Sequence, residues 1–144
     1  MKLGVFSAME VAASGLTAER TRMNVIASNL ANARTTHTEA GGPYRKLDPV
    51  FAAIPLSGEG AASVSGSGVS LVRVDSIRAD PRDPQMVYEP GHPDADGNGY
   101  VRYPNVNVVE EMVNIITASR AYEAGVSTID SVKSMARSAL GIGR

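Results

Sequence analysis

The chain has 144 residues, a formal net charge of −1 and no cysteine. That length is one domain's worth of chain, and the near-neutral charge gives no electrostatic footprint for nucleic acid or an anionic membrane. Disulfides, thiolate zinc sites and a cysteine nucleophile are excluded, no run of about 18 apolar residues offers a membrane span, and the opening Met1–Phe6 run is too short for a secretory signal.

Residues 7–33 read as the first helix. Ser7-Ala8-Met9-Glu10 has the form of a capping box, with Phe6 and Val11 placed as a hydrophobic staple. Met9, Leu16, Met23 and Leu30 recur every seventh residue, and Phe6, Ala13, Arg20 and Ala27 fill the alternate seam. This seam is narrow and alanine-rich, which lets a partner helix approach closely. Thr21, Asn24, Ser28 and Asn32 form a separate strip of uncharged hydrogen-bonding groups, where an ordinary surface helix carries Lys and Glu. A helix of this kind is contacted on more than one side.

The middle of the chain, residues 34–106, reads as short strands between turns. Candidates are Tyr44 to Phe51, Val69 to Ile77, Met86 to Tyr88 and Tyr100 to Tyr103. In the second, Val72 and Val74 share one face and Val69 and Leu71 the other. The stretch Ser57 to Gly68 has the composition of a linker. Pro81, Pro84, Pro90, Pro93 and Pro104 punctuate the remainder and keep any sheet small.

Residues 107–140 read as the last helix. Val108, Met112, Ile115, Ser119, Tyr122, Val126, Ile129, Lys133, Ala136 and Leu140 follow steps of four and three. Asn107 serves as the N-cap, Glu110 and Glu111 suit the positive end of the helix dipole, and Gly141 marks the stop. The fold expected is mainly α with a small β-rich insert: residues 1–34 and 107–144 contribute helices that pair as a coiled coil, and residues 35–106 form a β/loop region. The heptads alone allow either a self-contained antiparallel pair or helices lent to neighbouring subunits.

Signals for chemistry are weak. Asp94-Ala95-Asp96-Gly97-Asn98-Gly99 matches the first half of a calcium loop, but its twelfth position is Asn105 rather than a bidentate Glu, so a Gly/Asn turn is the better reading. His37 and His92 are 55 residues apart and both sit in turn-like sequence, so neither is a good metal-ligand candidate. No phosphate loop, nucleophile elbow or carboxylate pair is present. The sequence predicts no enzyme, no cofactor, no metal site and no small-molecule substrate.

One set of motifs carries a resemblance. Met23-Asn24-Val25-Ile26-Ala27-Ser28-Asn29-Leu30-Ala31-Asn32-Ala33 resembles the N-terminal motif of bacterial flagellar rod and hook (axial) proteins. Gly41-Gly42-Pro43-Tyr44-Arg45-Lys46, Tyr88-Glu89-Pro90-Gly91-His92-Pro93-Asp94 and Tyr100-Val101-Arg102-Tyr103-Pro104-Asn105-Val106-Asn107 narrow it to the proximal-rod members. Gly125, where the family favours Asn, and Arg34 depart from the pattern; the glycine implies a closely approaching neighbour or a bend. The resemblance implies a structural subunit of the basal-body rod in the periplasm, exported by the flagellar type III apparatus without a cleaved signal peptide. Its partners would be proximal and distal rod proteins, a ring protein or ring–rod adaptor, and copies of itself.

On that footing Leu16, Met23, Asn24, Asn29, Leu30 and Asn32 of the first helix, and Met112, Ile115, Tyr122, Val126 and Ile129 of the last, are candidate subunit-interface residues. Tyr44, Tyr103, Asn105 and Asn107 would join the middle region to the last helix. A calcium-responsive helical adaptor using Asp94, Asp96 and Asn98, or another axial subunit, are the alternatives.

Overall fold

The computed structural model describes residues 2–55 and 69–142. The Ser57–Gly68 linker reading lies outside the described residues. In chain order the elements are α1 (Lys2–Ala31), β1 (Leu47–Pro55), β2 (Ser70–Ala79), β3 (Gln85–Tyr88), β4 (Tyr100–Tyr103) and α2 (Val108–Ile142). At 1.5 Å per residue the helices are about 45 and 52 Å long. Neither is long and apolar enough to cross a membrane.

Helix α1 starts at Lys2, so Ser7 lies inside the helix and the expected capping box is not its beginning. The N-cap of α2 is as expected: Asn107 Oδ1 accepts from the Val109 and Glu110 amides at 3.1 and 3.3 Å. Gly141 does not end α2, which continues to Ile142.

The helices pack antiparallel, since Asn29 meets Glu111 and Leu16 meets Gly125. The inward stripe of α2 is Glu111, Ile115, Ala118, Tyr122, Gly125, Ile129, Val132 and Ala136, all buried or half-buried. It shares Ile115, Tyr122, Ile129 and Ala136 with the expected seam, whereas Val108, Met112, Val126, Lys133 and Leu140 are exposed. The sequence favours the more apolar stripe, but the pairing selects the one with the smaller residues. On α1 the buried positions are Ala18, Val25, Ile26 and Asn29, while Phe6, Ala13, Arg20 and Ala27 face outward. Small residues on both sides bring the backbones together. A Cβ at Gly125 would lie 2.8 Å from Leu16 Cδ2, so the close neighbour implied by that glycine is Leu16.

Strands β1 and β2 form an antiparallel pair, and β3 and β4 a second. In the first, the register shifts between Val50 and Phe51, leaving Asp75 of β2 unopposed. The alternation expected for β2 does not hold at Val72 and Arg73, both exposed: Leu71 and Val74 are half-buried. This hairpin lies against α1, where the Val72 amide donates to Ser14 Oγ at 3.1 Å and so occupies an otherwise open strand edge.

Two glycine turns set the path. Gly41 and Gly42 take φ of 84° and 77° beside hydrogen bonds between Thr38 and Gly42, reversing the chain after α1. Gly99, at φ 83°, passes so near Tyr88 and Pro90 that a Cβ would stand 2.9 Å from the tyrosine ring.

Gly125→Leu is expected to destabilise the chain by about 1–3 kcal/mol through overpacking against Leu16. Gly15→Ala, whose Cβ meets nothing within 4 Å among the described residues, should stabilise it by about 0.5–1 kcal/mol. Denaturant melts followed by circular dichroism read both.

Candidate subunit interface and the junction beneath it

A buried polar cluster joins α1, β1 and α2. The reversal at Gly41–Gly42 returns the chain along the end of α1, with the Tyr44 amide donating to Thr35 O at 3.0 Å. This sets Tyr44, Lys46 and Leu47 beside Asn29, which is 1% exposed. Asn29 Nδ2 donates to Leu47 O at 2.8 Å and to Glu111 Oε2 at 3.0 Å. Its Oδ1 accepts from the Leu47 amide at 2.9 Å and from the Tyr44 hydroxyl at 3.0 Å. Both donors and both acceptor positions of the amide are thereby used. Ser28 Oγ lies 3.3 Å from the same tyrosine hydroxyl.

Glu111 is equally buried, and its charge is met by Lys46 Nζ at 3.0 Å. Asp48 and Glu110 lie at 3.8 Å from the same ammonium. Burial works to lower the Lys46 pKa, but the Glu111 hydrogen bond and the three surrounding carboxylates outweigh it, so the ammonium is held above its ordinary value. The Lys46 carbonyl in turn accepts from the Asp80 amide at 2.8 Å. Asp80 is clasped by the Arg82 guanidinium, Nε to Oδ2 at 2.8 Å, and by the Arg82 amide at 2.9 Å. These bonds hold its carboxyl down to about 2, against burial, which acts the other way.

The expected site residues are distributed unevenly around this cluster. Asn29 and Tyr44 are members of it. Asn107 caps α2, and Asn105 borders a small cavity together with Tyr44, Lys46 and Asp80. Tyr103 instead donates to Glu89 Oε2 at 2.9 Å and stands edge-on to His92, within the middle region. Asn32 is engaged at the end of its own helix, donating to Ser28 O and accepting from Thr35 Oγ1. Asn24 is exposed; Leu16, Met23 and Leu30 are half-buried. On α2, Ile115, Tyr122 and Ile129 line the contact with α1, whereas Met112 and Val126 point away from it.

Lys46, Glu111, Asp80 and Arg82 were not legible as a site. A heptad drawn through Glu111 and Gly125 would have placed the glutamate on the inward stripe, but a charged residue in an apolar seam is ordinarily scored against such a frame. The Asp94–Gly99 segment is a turn. Asp96 Oδ1 accepts from the Asn98 and Tyr100 amides, each at 2.9 Å, and Asp94 Oδ2 accepts from Thr36 at 2.6 Å.

Outside the cluster are two further surfaces. Val109, Met112, Val113 and Ile116 make an exposed apolar face on α2. A groove of about 430 Å³ runs between α1, α2 and the first hairpin, bordered by Ala12, Gly15, Leu16, Phe51, Val72 and Ala121. The described residues thus define a class of architecture: a long helix pair with a buried polar lock at one end and uncovered apolar faces outside.

Comparison with known proteins identifies that class. Residues 9–36 match the flagella basal body rod protein family, and residues 98–142 match the C-terminal family of flagellar basal body rod FlgEFG proteins. The chain is 46% identical to the flagellar basal-body rod protein FlgC of Borreliella burgdorferi, over 97% of this chain and 98% of the relative. It is 39% identical to the FlgC proteins of Salmonella typhimurium and Bacillus subtilis, over 99% and 96% of this chain and 100% and 98% of those relatives. The chain belongs to the flagellar basal-body rod proteins, and among them to the FlgC family.

Asn29→Leu leaves Glu111 Oε2 and the Leu47 backbone groups without their hydrogen bonds to the amide, and is expected to cost at least about 3 kcal/mol. Lys46→Met should cost about 3–5 kcal/mol, most of it recovered in the Lys46→Met/Glu111→Met double variant. Chemical denaturation of the four proteins in a double-mutant cycle checks this. Because the folded-state pKa of Asp80 is depressed, its contribution is complete above the ordinary value of 3.8 and lost as pH falls towards 2. Asp80→Asn should therefore lower the melting temperature at pH 6 and flatten its decline between those two values.

Proposed function

We propose that this chain is a structural subunit of the flagellar basal-body rod, placed in its proximal part. There it polymerises with copies of itself and other rod proteins into the shaft that carries torque from the ring towards the distal rod and hook. Full-length similarity to FlgC proteins of three bacteria supports the rod assignment. The observation in the fold that carries it is α2: a 35-residue helix that buries one stripe against α1 and leaves a second, more apolar one exposed.

In this reading α1 and α2 pair as a coiled coil in the inner layer of a tube, and residues 35–106 form an outer region. Leu16, Met23, Asn24, Leu30, Met112 and Val126 meet neighbouring subunits, with Ile115, Tyr122 and Ile129 behind them. Asn29 and Tyr44 hold the frame that presents those faces. The subunit reaches the periplasm through the flagellar type III export apparatus without loss of a signal peptide. Ordering two helices of this length costs roughly 1–2 kcal/mol per residue in backbone entropy, and burial between subunits offsets it.

Ser131 is exposed on α2, and its replacement introduces the sole thiol of the chain. Ser131→Cys expressed in flagellated cells, treated with a short thiol-to-amine cross-linker, should yield products with rod or ring proteins in isolated basal bodies. Only monomer, absent from basal bodies of cells that still swim, would overturn the assignment.

A further inference from the structure

The stripe on α2 and the groove beside α1 are different surfaces of one molecule with complementary relief. Val109, Met112, Val113 and Ile116 are each between 53% and 70% exposed and follow the i, i+3, i+4, i+7 spacing of a helix that lies in a groove. All four are bulky. The groove is bordered by small residues, Ala12, Gly15 and Ala121, with Phe51 and Val72 raised at its rim.

Gly15 is the independent observation. It stands in the interior of α1, where glycine costs about 1 kcal/mol relative to alanine. Gly125 has an explanation inside the chain, because Leu16 crosses over it. Gly15 has none among the described residues: a Cβ built there meets none of their atoms within 4 Å. A helix-interior glycine with no neighbour among the described residues leaves room for a close approach by a partner. Charge agrees with the relief. Glu19, also bordering the groove, has an Oε2 that is buried and accepts no hydrogen bond among the described residues, with Arg22 3.7 Å away. Arg120, exposed and one turn beyond Ile116, continues the stripe with the opposite sign.

We infer that the Val109–Ile116 face of one copy seats in the groove around Gly15 of a second copy. This rests on the reading of the chain as a rod subunit and adds which faces meet and which partner supplies them. Because the two faces differ, the contact is heterologous. It leaves a free face at each end and propagates rather than closing as a two-fold dimer.

The test uses a chain carrying both Gly15→Cys and Val113→Cys, expressed in place of the natural one and oxidised in isolated basal bodies. Within one molecule the two positions are separated by about 18 Å along the helix pair, too far for a disulfide. The expected result is a disulfide joining the peptides of positions 15 and 113, running as dimers and a ladder of larger species, and absent from either single variant. A chain present in basal bodies without that link, or linked there to a different protein, overturns the inference and leaves the rod assignment standing. Absence from basal bodies of swimming cells overturns the assignment itself. As a steric check, Gly15→Leu should keep or raise the helix content of the purified protein, because the described residues leave its space open, yet lower incorporation into basal bodies about tenfold or more. Normal incorporation would count against the contact.

Discussion

The arrangement depends on a buried amide and a buried charge pair at one end of two long helices. Asn29, fully hydrogen-bonded, ties α1 to the backbone of β1 and to the α2 carboxylate of Glu111, whose charge Lys46 neutralises. A buried pair of this kind adds little net stability compared with an apolar substitute, but breaking it is costly. Its consequence is geometric. The amide can satisfy Leu47, Tyr44 and Glu111 together in one register of the helices, and a slide of one turn would leave several polar groups buried and unpaired. The helix pair is therefore indexed at this end, and the rest of its length follows by packing.

Along that length the packing is made by small residues. Ala18, Ala118 and Gly125 permit a close approach, with Leu16 folded over the glycine. Close pairing on the small stripe turns the bulkier Met112, Val113 and Ile116 outward. The same choice that brings α1 and α2 together therefore creates an apolar exterior. In a protein whose role is to be one brick of a shaft, cohesion inside a subunit and adhesion between subunits need separate faces, and α2 carries two stripes, one buried against α1 and one exposed.

The middle region serves the lock as well as filling space. The glycine turn after α1 places Tyr44 and Lys46, and the Asp80–Arg82 clasp fixes the end of β2 onto the Lys46 carbonyl. Strand pairing, turn geometry and the buried charges thus converge on one place. A fault in any of them is transmitted to the helix register, and an assembled shaft repeats that fault in every copy.

Element type and order were legible in the sequence, because period, caps and turn residues are local. Heptads gave both helices, Asn107 gave the start of α2, and Tyr100 to Tyr103 gave a strand with its observed bounds. The motifs at residues 23–33, 41–46, 88–94 and 100–107 gave the protein class. Which stripe faces inward was not legible, because a heptad reports apolarity and not the separation of the helices; close approach favoured Glu111, Gly125 and Val132 over Met112, Val126 and Lys133. The cluster around Asn29 was only partly visible. Asn29 and Tyr44 were singled out, but Lys46, Glu111, Asp80 and Arg82 resemble ordinary surface charges until the fold brings residues from α1, β1, the end of β2 and α2 to one point. The sequence by itself determined the elements and the kind of protein they build. Tertiary structure decided which faces are buried inside the subunit and which stay exposed, because burial and charge pairing are properties of contacts between segments far apart in the chain.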